Sequence, residues 1–130
     1  MSRAVASFMR QPVWSVGPDQ TLEAIGREFA ARGLHWAPVV EGASTLLGVL
    51  SAWDLVRLQA QGQPASTPAW KACTYRPLTI GPDTPVGEAA ELMRTRNVHH
   101  LPVVAADGRL LGIVSSLDLL SGCADNTDLV

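Results

Sequence analysis

The residues best suited to chemistry sit in the stretch Gly112-Ile113-Val114-Ser115-Ser116-Leu117-Asp118. An apolar strand would run there into a helix start, with a glycine, a hydroxyl and a carboxylate at the junction. The same word occurs 64 residues upstream as Gly48-Val49-Leu50-Ser51-Ala52-Trp53-Asp54. Ser51 and Ser115 fall where the free N–H groups of a following helix point outward, which is a ready anion site. Asp54 and Asp118 follow one helical turn on, and a carboxylate there can accept hydrogen bonds from the vicinal hydroxyls of a ribose. A glycine ahead of the junction would let a ligand approach the backbone, where a Cβ would block it. Hydroxyl, helix tip and carboxylate together suit a nucleoside phosphate. Ser-x-x-Asp is equally a capping-box pattern, worth about 1 kcal/mol of helix stability with no ligand at all.

Other chemistries find little support. The three histidines, His35, His99 and His100, have no i,i+4 spacing and no carboxylate at a recognised ligand distance, so no metal site is expected. Cys73 and Cys123 form no Cys-x-x-Cys and read as free thiols in a reducing compartment. No Gly-x-Gly-x-x-Gly, Walker loop or Gly-x-Ser-x-Gly elbow is present. Asp54 and Asp118 belong to separate copies of the word, which argues against a shared acid–base pair. Neither a catalytic residue nor a required cofactor is expected.

The elements that must position these groups also come in two copies. Residues 17–57 align with 81–121 without a gap, and fourteen of the 41 pairs are identical, among them Gly17/Gly81, Pro38/Pro102, Ser51/Ser115 and Asp54/Asp118. Upstream the offset changes by one, so that Pro12 matches Pro77. Two copies are too few for a solenoid, so one pseudo-two-fold α/β (α+β) module is expected. It comprises repeat one over 1–65 (core about 8–60) and repeat two over 66–130 (core about 72–122). Gln61 to Lys71 reads as a linking loop.

Ser2 to Arg10 could form a short lead-in helix. Each repeat then runs β-α-β-β-α. In the first, a strand over Val13–Val16 stops at Gly17-Pro18-Asp19. A helix from Gln20 or Thr21 buries Leu22, Ile25 and Phe29 and ends at Gly33. Strands Trp36–Val40 and Leu46–Leu50 lead to a helix opened by Ser51. In the second, strand Leu78–Ile80 precedes helix Val86–Arg96, which turns Ala89, Leu92 and Met93 inward and ends at Asn97. Strands His100–Val104 and Leu110–Val114 flank Asp107-Gly108, and a helix follows over Ser116–Leu120.

The chain is 47% hydrophobic and 17% charged, with a net charge of −2 and no basic stripe. It can build a core, and nothing marks it for nucleic acid. No apolar run is long enough to cross a bilayer, and Ser2 to Gln11 lacks the apolar region of a secretory signal. Cytoplasmic residence is the expectation.

This order, with Leu101-Pro102-Val103-Val104 before Asp107-Gly108 and Leu111-Gly112-Ile113-Val114-Ser115 leading to Asp118-Leu119, resembles the cystathionine-β-synthase (CBS) domain. Two in tandem are similar to a CBS pair, or Bateman module. The likeness runs from about residue 8 to 122, as a stand-alone pair would. It implies a regulatory sensor that holds an adenosine-containing ligand, AMP, ADP, ATP or an S-adenosylmethionine-type molecule, in a cleft between the repeats. It implies contacts to phosphate or ribose from Ser115 and Asp118 at one site and from Ser51 and Asp54 at the other. His99 and His100 would face the phosphates at the first and His35 at the second, unless they are simply strand-end histidines facing solvent. By the same resemblance the adenine slot draws on the opposite repeat. Ser15 and Leu34 would complete the Asp118 site, while Thr74, Thr79 and Val98 would complete the Asp54 site, with Val49 and Ile113 lining the pockets.

Trp36 stands where repeat two has a second basic residue, and Glu41-Gly42-Ala43-Ser44 replaces its Asp-Gly turn, so repeat one is the copy whose site could have decayed. Trp14, Trp53 and Trp70 are expected in packing or interfaces. The resemblance further implies a homodimer through helix residues such as Leu55, Leu58, Leu119 and Leu120, and an unidentified regulated protein. The alternative from another class is a ligand-free dimerisation or interaction scaffold.

Overall fold

A computed structural model describes residues 3–125 of the chain. Its elements are a 3-10 turn over Val5–Ser7, then α1 (Leu22–Arg32), β1 (Trp36–Glu41), β2 (Thr45–Ser51), α2 (Ala52–Ala60), α3 (Ala69–Ala72) and β3 (Thr74–Tyr75). The second half has α4 (Val86–Arg96), β4 (His100–Val104), β5 (Leu110–Ser115) and α5 (Ser116–Asp125). The 64-residue offset persists in three dimensions. Trp36 lies opposite Ser51 as His100 lies opposite Ser115, and both hairpins carry a bulge at the same place, Val39/Val40 and Val103/Val104.

Local chemistry sets the helix ends. Thr21 accepts a hydrogen bond from the Ala24 N–H and starts α1. Gly33 (φ 66°) and Asn97 (φ 53°) close α1 and α4 in the left-handed conformation that these two residue types tolerate best.

The described residues divide into two compact units, Trp14–Pro77 on one hand and 3–13 with 78–125 on the other. The lead segment of each repeat is therefore built into the unit of the other repeat. In the 14–77 unit, Val16, Ile25, Phe29, Ala37, Val39, Leu50, Ala69 and Cys73 form the core. Trp14 packs edge-on against Phe29, with its ring under the Arg32 guanidinium. In the other unit, Val5 from the lead segment joins Ile80, Val86, Ala89, Met93, Leu101, Val103, Val114 and Leu119.

Three sequence expectations change. Val13–Val16 and Leu78–Ile80 do not form strands; each contributes one parallel bridge, Val16 to Val39 and Ile80 to Val103. Prolines and the Gly-Pro-Asp turn leave only one residue able to use both its N–H and its carbonyl, as Val16 does with Pro38 O and Val40 N. The segment Gln61–Lys71 is not all loop. Ala69 is fully buried at the start of α3, and Pro68 bridges Thr21. Leu119 is 4% exposed inside its own core, so it is unavailable to a dimer interface.

Candidate functional site

Each serine–aspartate pair forms a closed structure at the tip of its helix. At α2 the Ser51 N–H donates to Asp54 Oδ2 at 2.8 Å, and the Asp54 N–H donates to Ser51 Oγ at 3.0 Å. At α5 the Ser115 N–H (2.8 Å) and hydroxyl (2.9 Å) donate to Asp118 Oδ2, and the Asp118 N–H returns a bond to Ser115 Oγ at 3.1 Å. Both are capping boxes that satisfy helix N–H groups reciprocally. Capping and ligand binding are compatible here, because Oδ2 carries the cap and Oδ1 faces elsewhere.

At Asp54, Oδ1 meets, among the described residues, only Arg57 Nη2, at 3.4 Å. At Asp118, Oδ1 accepts a 2.8 Å bond from Arg10 Nε. Burial disfavours the Asp118 carboxylate, but the Arg10 hydrogen bond and charge and the Ser115 donors outweigh it. They hold its pKa below the usual carboxylate value. The Asp118 oxygens are thus an ionised, oriented acceptor.

The remaining predicted residues gather by unit. The carbonyls of His35 and His99 accept the first helical N–H of α2 (Ala52, 2.7 Å) and of α5 (Ser116, 2.9 Å), which fixes each histidine beside its serine–aspartate tip. Cross-strand partners share a sheet face, so His100 and Trp36 stand on the faces of Ser115 and Ser51 respectively. Val49 pairs with Thr74, and Ile113 pairs with Arg10. Ser15, Leu34 and Thr74 fold into the unit of Asp54, whereas Thr79 and Val98 fold into that of Asp118. Leu34 and His35 also line a groove of about 500 Å³ between α1 and α2, together with Phe29, Ala52 and Leu55. No group of three or more His, Cys, Asp or Glu among the described residues could hold a metal ion. Burial raises the Cys73 thiol pKa, which works against a reactive thiolate; the Cys123 side chain lies outside what is described.

The glycines of the repeated word need another explanation than ligand approach. A Cβ on Gly48 would lie 2.6 Å from Thr74 O and 2.8 Å from Cys73 Sγ, and one on Gly112 would lie 2.9 Å from both Arg10 O and Met9 Sδ. The space is filled by the chain's own lead segments. Arg10 itself went unread in the sequence, 108 residues from its partner. Only the structural equivalence of Met9-Arg10 with Cys73-Thr74, each laid on a glycine-bearing strand, would have drawn attention to it.

The CBS-domain family model matches residues 5–61 and 71–125. The chain belongs to the CBS-domain family. A CBS domain-containing protein of Dictyostelium discoideum is 32% identical over 132 residues, covering 92% of this chain and 90% of that one. Among solved structures, CBSX2 in complex with AMP is similar at 26% identity and a TM-score of 0.87, over 95% of this chain and 97% of that one. A CBS domain protein from Pyrobaculum aerophilum complexed with AMP is similar at 26% identity and a TM-score of 0.82, over 95% and 99%. In this CBS pair the serine–aspartate tips fall at the same place in both repeats, at the end of the second hairpin strand. No helix among the described residues is long and apolar enough to cross a membrane.

Proposed function

We propose that the chain is a non-catalytic regulatory module that senses an adenosine-containing ligand, AMP, ADP, ATP or an S-adenosylmethionine-type molecule, through its two serine–aspartate tips. The observation that carries this reading is the division of labour within each carboxylate. One oxygen completes the cap, and the other is oriented and open to exchange for the hydroxyls of a ribose. Two relatives of the same fold, each 26% identical, were solved with AMP bound. Ser51, Asp54, His35, Val49 and Thr74 serve one tip, and Ser115, Asp118, His99, His100 and Ile113 serve the other. Ser15, Leu34, Thr79 and Val98 supply the apolar slots. The module acts in the cytoplasm without nucleic acid or membrane, and a regulated protein reads its state. Ligand biases that state only by its differential affinity for two arrangements.

Thermal unfolding with AMP tests this. At one hundred times the dissociation constant, AMP should add about 2.7 kcal/mol of stability. Asp54→Ala with Asp118→Ala should remove that gain while costing about 1 kcal/mol per lost cap without nucleotide. A chain that gains nothing from AMP, ADP, ATP or S-adenosylmethionine is the scaffold that complete, self-satisfied capping boxes would also serve.

A homodimer is supported by a second repeat-wise coincidence. Trp53 (72% exposed) and Val56 on α2 have Leu117 and Leu120 as their 64-residue counterparts on α5, and all four are exposed. One apolar pair, presented at equivalent positions by both repeats, suits a self-complementary surface between two copies. Light scattering should find a dimer. Trp53→Glu with Leu117→Glu should leave a folded monomer, and a double variant that stays dimeric would refute this surface.

A further inference from the structure

One difference between the two serine–aspartate tips lies in the lead segments, which the repeat does not reproduce. Arg10, opposite Ile113, donates its Nε–H to Asp118 Oδ1 at 2.8 Å. The register-equivalent residue in the other unit, opposite Val49, is Thr74. A threonine carries no charge for Asp54, whose Oδ1 accepts, among the described residues, a longer 3.4 Å bond from Arg57 Nη2. The oxygen left for a ligand is therefore held more tightly at Asp118, by a 2.8 Å bond, than at Asp54, by a 3.4 Å bond.

The pair is built to open. The Asp118 side chain is 10% exposed and anchored by Ser115, whereas the Arg10 side chain is 73% exposed. Among the described residues, its bond to Asp118 is the only side-chain hydrogen bond that Arg10 makes. An ion pair whose cation is so solvated holds weakly and is screened by salt. Its guanidinium can pivot while the carboxylate stays.

We propose that Arg10 is a specificity-determining gate at the Asp118 tip, which selects phosphorylated nucleosides over uncharged ones. A ribose that takes Oδ1 competes with the guanidinium for that oxygen. An uncharged nucleoside gives the released arginine nothing, so an ion pair is exchanged for hydroxyl–carboxylate bonds in which only the acceptor is charged. A nucleotide offers its phosphate, on which the guanidinium can place two parallel N–H donors. The displaced cation then becomes a ligand contact. The Asp54 tip, with Thr74 in place of arginine, discriminates less. This inference rests on the adenosine-sensing reading above and adds the ligand class to it.

Calorimetric titration of AMP and of adenosine into the full chain tests the gate. With Asp54→Ala isolating the Asp118 tip, AMP should bind at least about tenfold tighter than adenosine, as the charge-assisted bonds require. Arg10→Ala should narrow the AMP-to-adenosine ratio by at least about threefold, AMP weakening while adenosine strengthens. Arg10→Lys, which keeps the charge but not the fork, should retain part of the preference. In the chain with Asp54 intact, the same change should appear at one of two sites. An AMP-to-adenosine ratio that Arg10→Ala leaves unmoved overturns the gate but not nucleotide binding. Failure of both ligands to bind any variant, including the chain without substitutions, overturns both.

Discussion

Replacing Gly48 by alanine is expected to destabilise the 14–77 unit by about 2 to 3 kcal/mol, the upper part of the range for forcing one methyl into filled space. The new Cβ would meet the Thr74 carbonyl oxygen at 2.6 Å, a backbone atom that cannot turn aside as a side chain can. Gly48 pairs with Tyr75 in the register that carries β3, so relief of the clash must push the 74–75 segment off β2. Backbone conformation does not contribute, because Gly48 is not among the glycines with positive φ. Alanine should in fact lower the entropy of the unfolded chain, so any loss is steric. Gly112→Ala should cost less, because one of its two nearest atoms is the flexible Met9 Sδ. Urea unfolding of both variants checks the order. A Gly48→Ala chain within 0.5 kcal/mol of the original would mean that the lead segment yields freely.

The same contact shows what the residues could and could not say by themselves. The α1 and α4 caps, the hairpins and both Ser-x-x-Asp tips were legible, since each depends on residues within a few positions. The 64-residue offset carried them from one repeat to the other. The crossing of the lead segments was not legible, because pairing Arg10 with Ile113 or Thr74 with Val49 is a choice between distant partners with no local preference. From that gap came the mistaken role for the glycines, the missed Arg10–Asp118 pair and the expected strands at Val13–Val16 and Leu78–Ile80. Burial of Ala69 was hidden in the same way, since Gly62, Pro64, Ser66 and Pro68 around it have the composition of a loop.

The cores hold the second large effect. Leu101→Ala is expected to cost about 2 to 5 kcal/mol, as a fully buried leucine does when its cavity cannot collapse. The repeat suggests how that loss can be reversed. Position 101 corresponds to Ala37, and Ala89 corresponds to Ile25; all four side chains are buried in the cores of their units. One unit therefore places its large aliphatic residue on the helix and the small one on the strand, and the other does the opposite. Leucine and isoleucine have the same number of carbons, so the sum is conserved while its distribution is inverted. Ala89→Ile alone should overpack the second core by about 1 to 3 kcal/mol. Combined with Leu101→Ala, it should copy the arrangement of the first core. The double variant should then be more stable than the sum of the single losses by at least about 1 kcal/mol, as neighbours that share one space require. Urea unfolding of the four chains measures this coupling directly. Simple additivity would show that the two positions fill separate spaces, and that the inversion between repeats is coincidence rather than compensation.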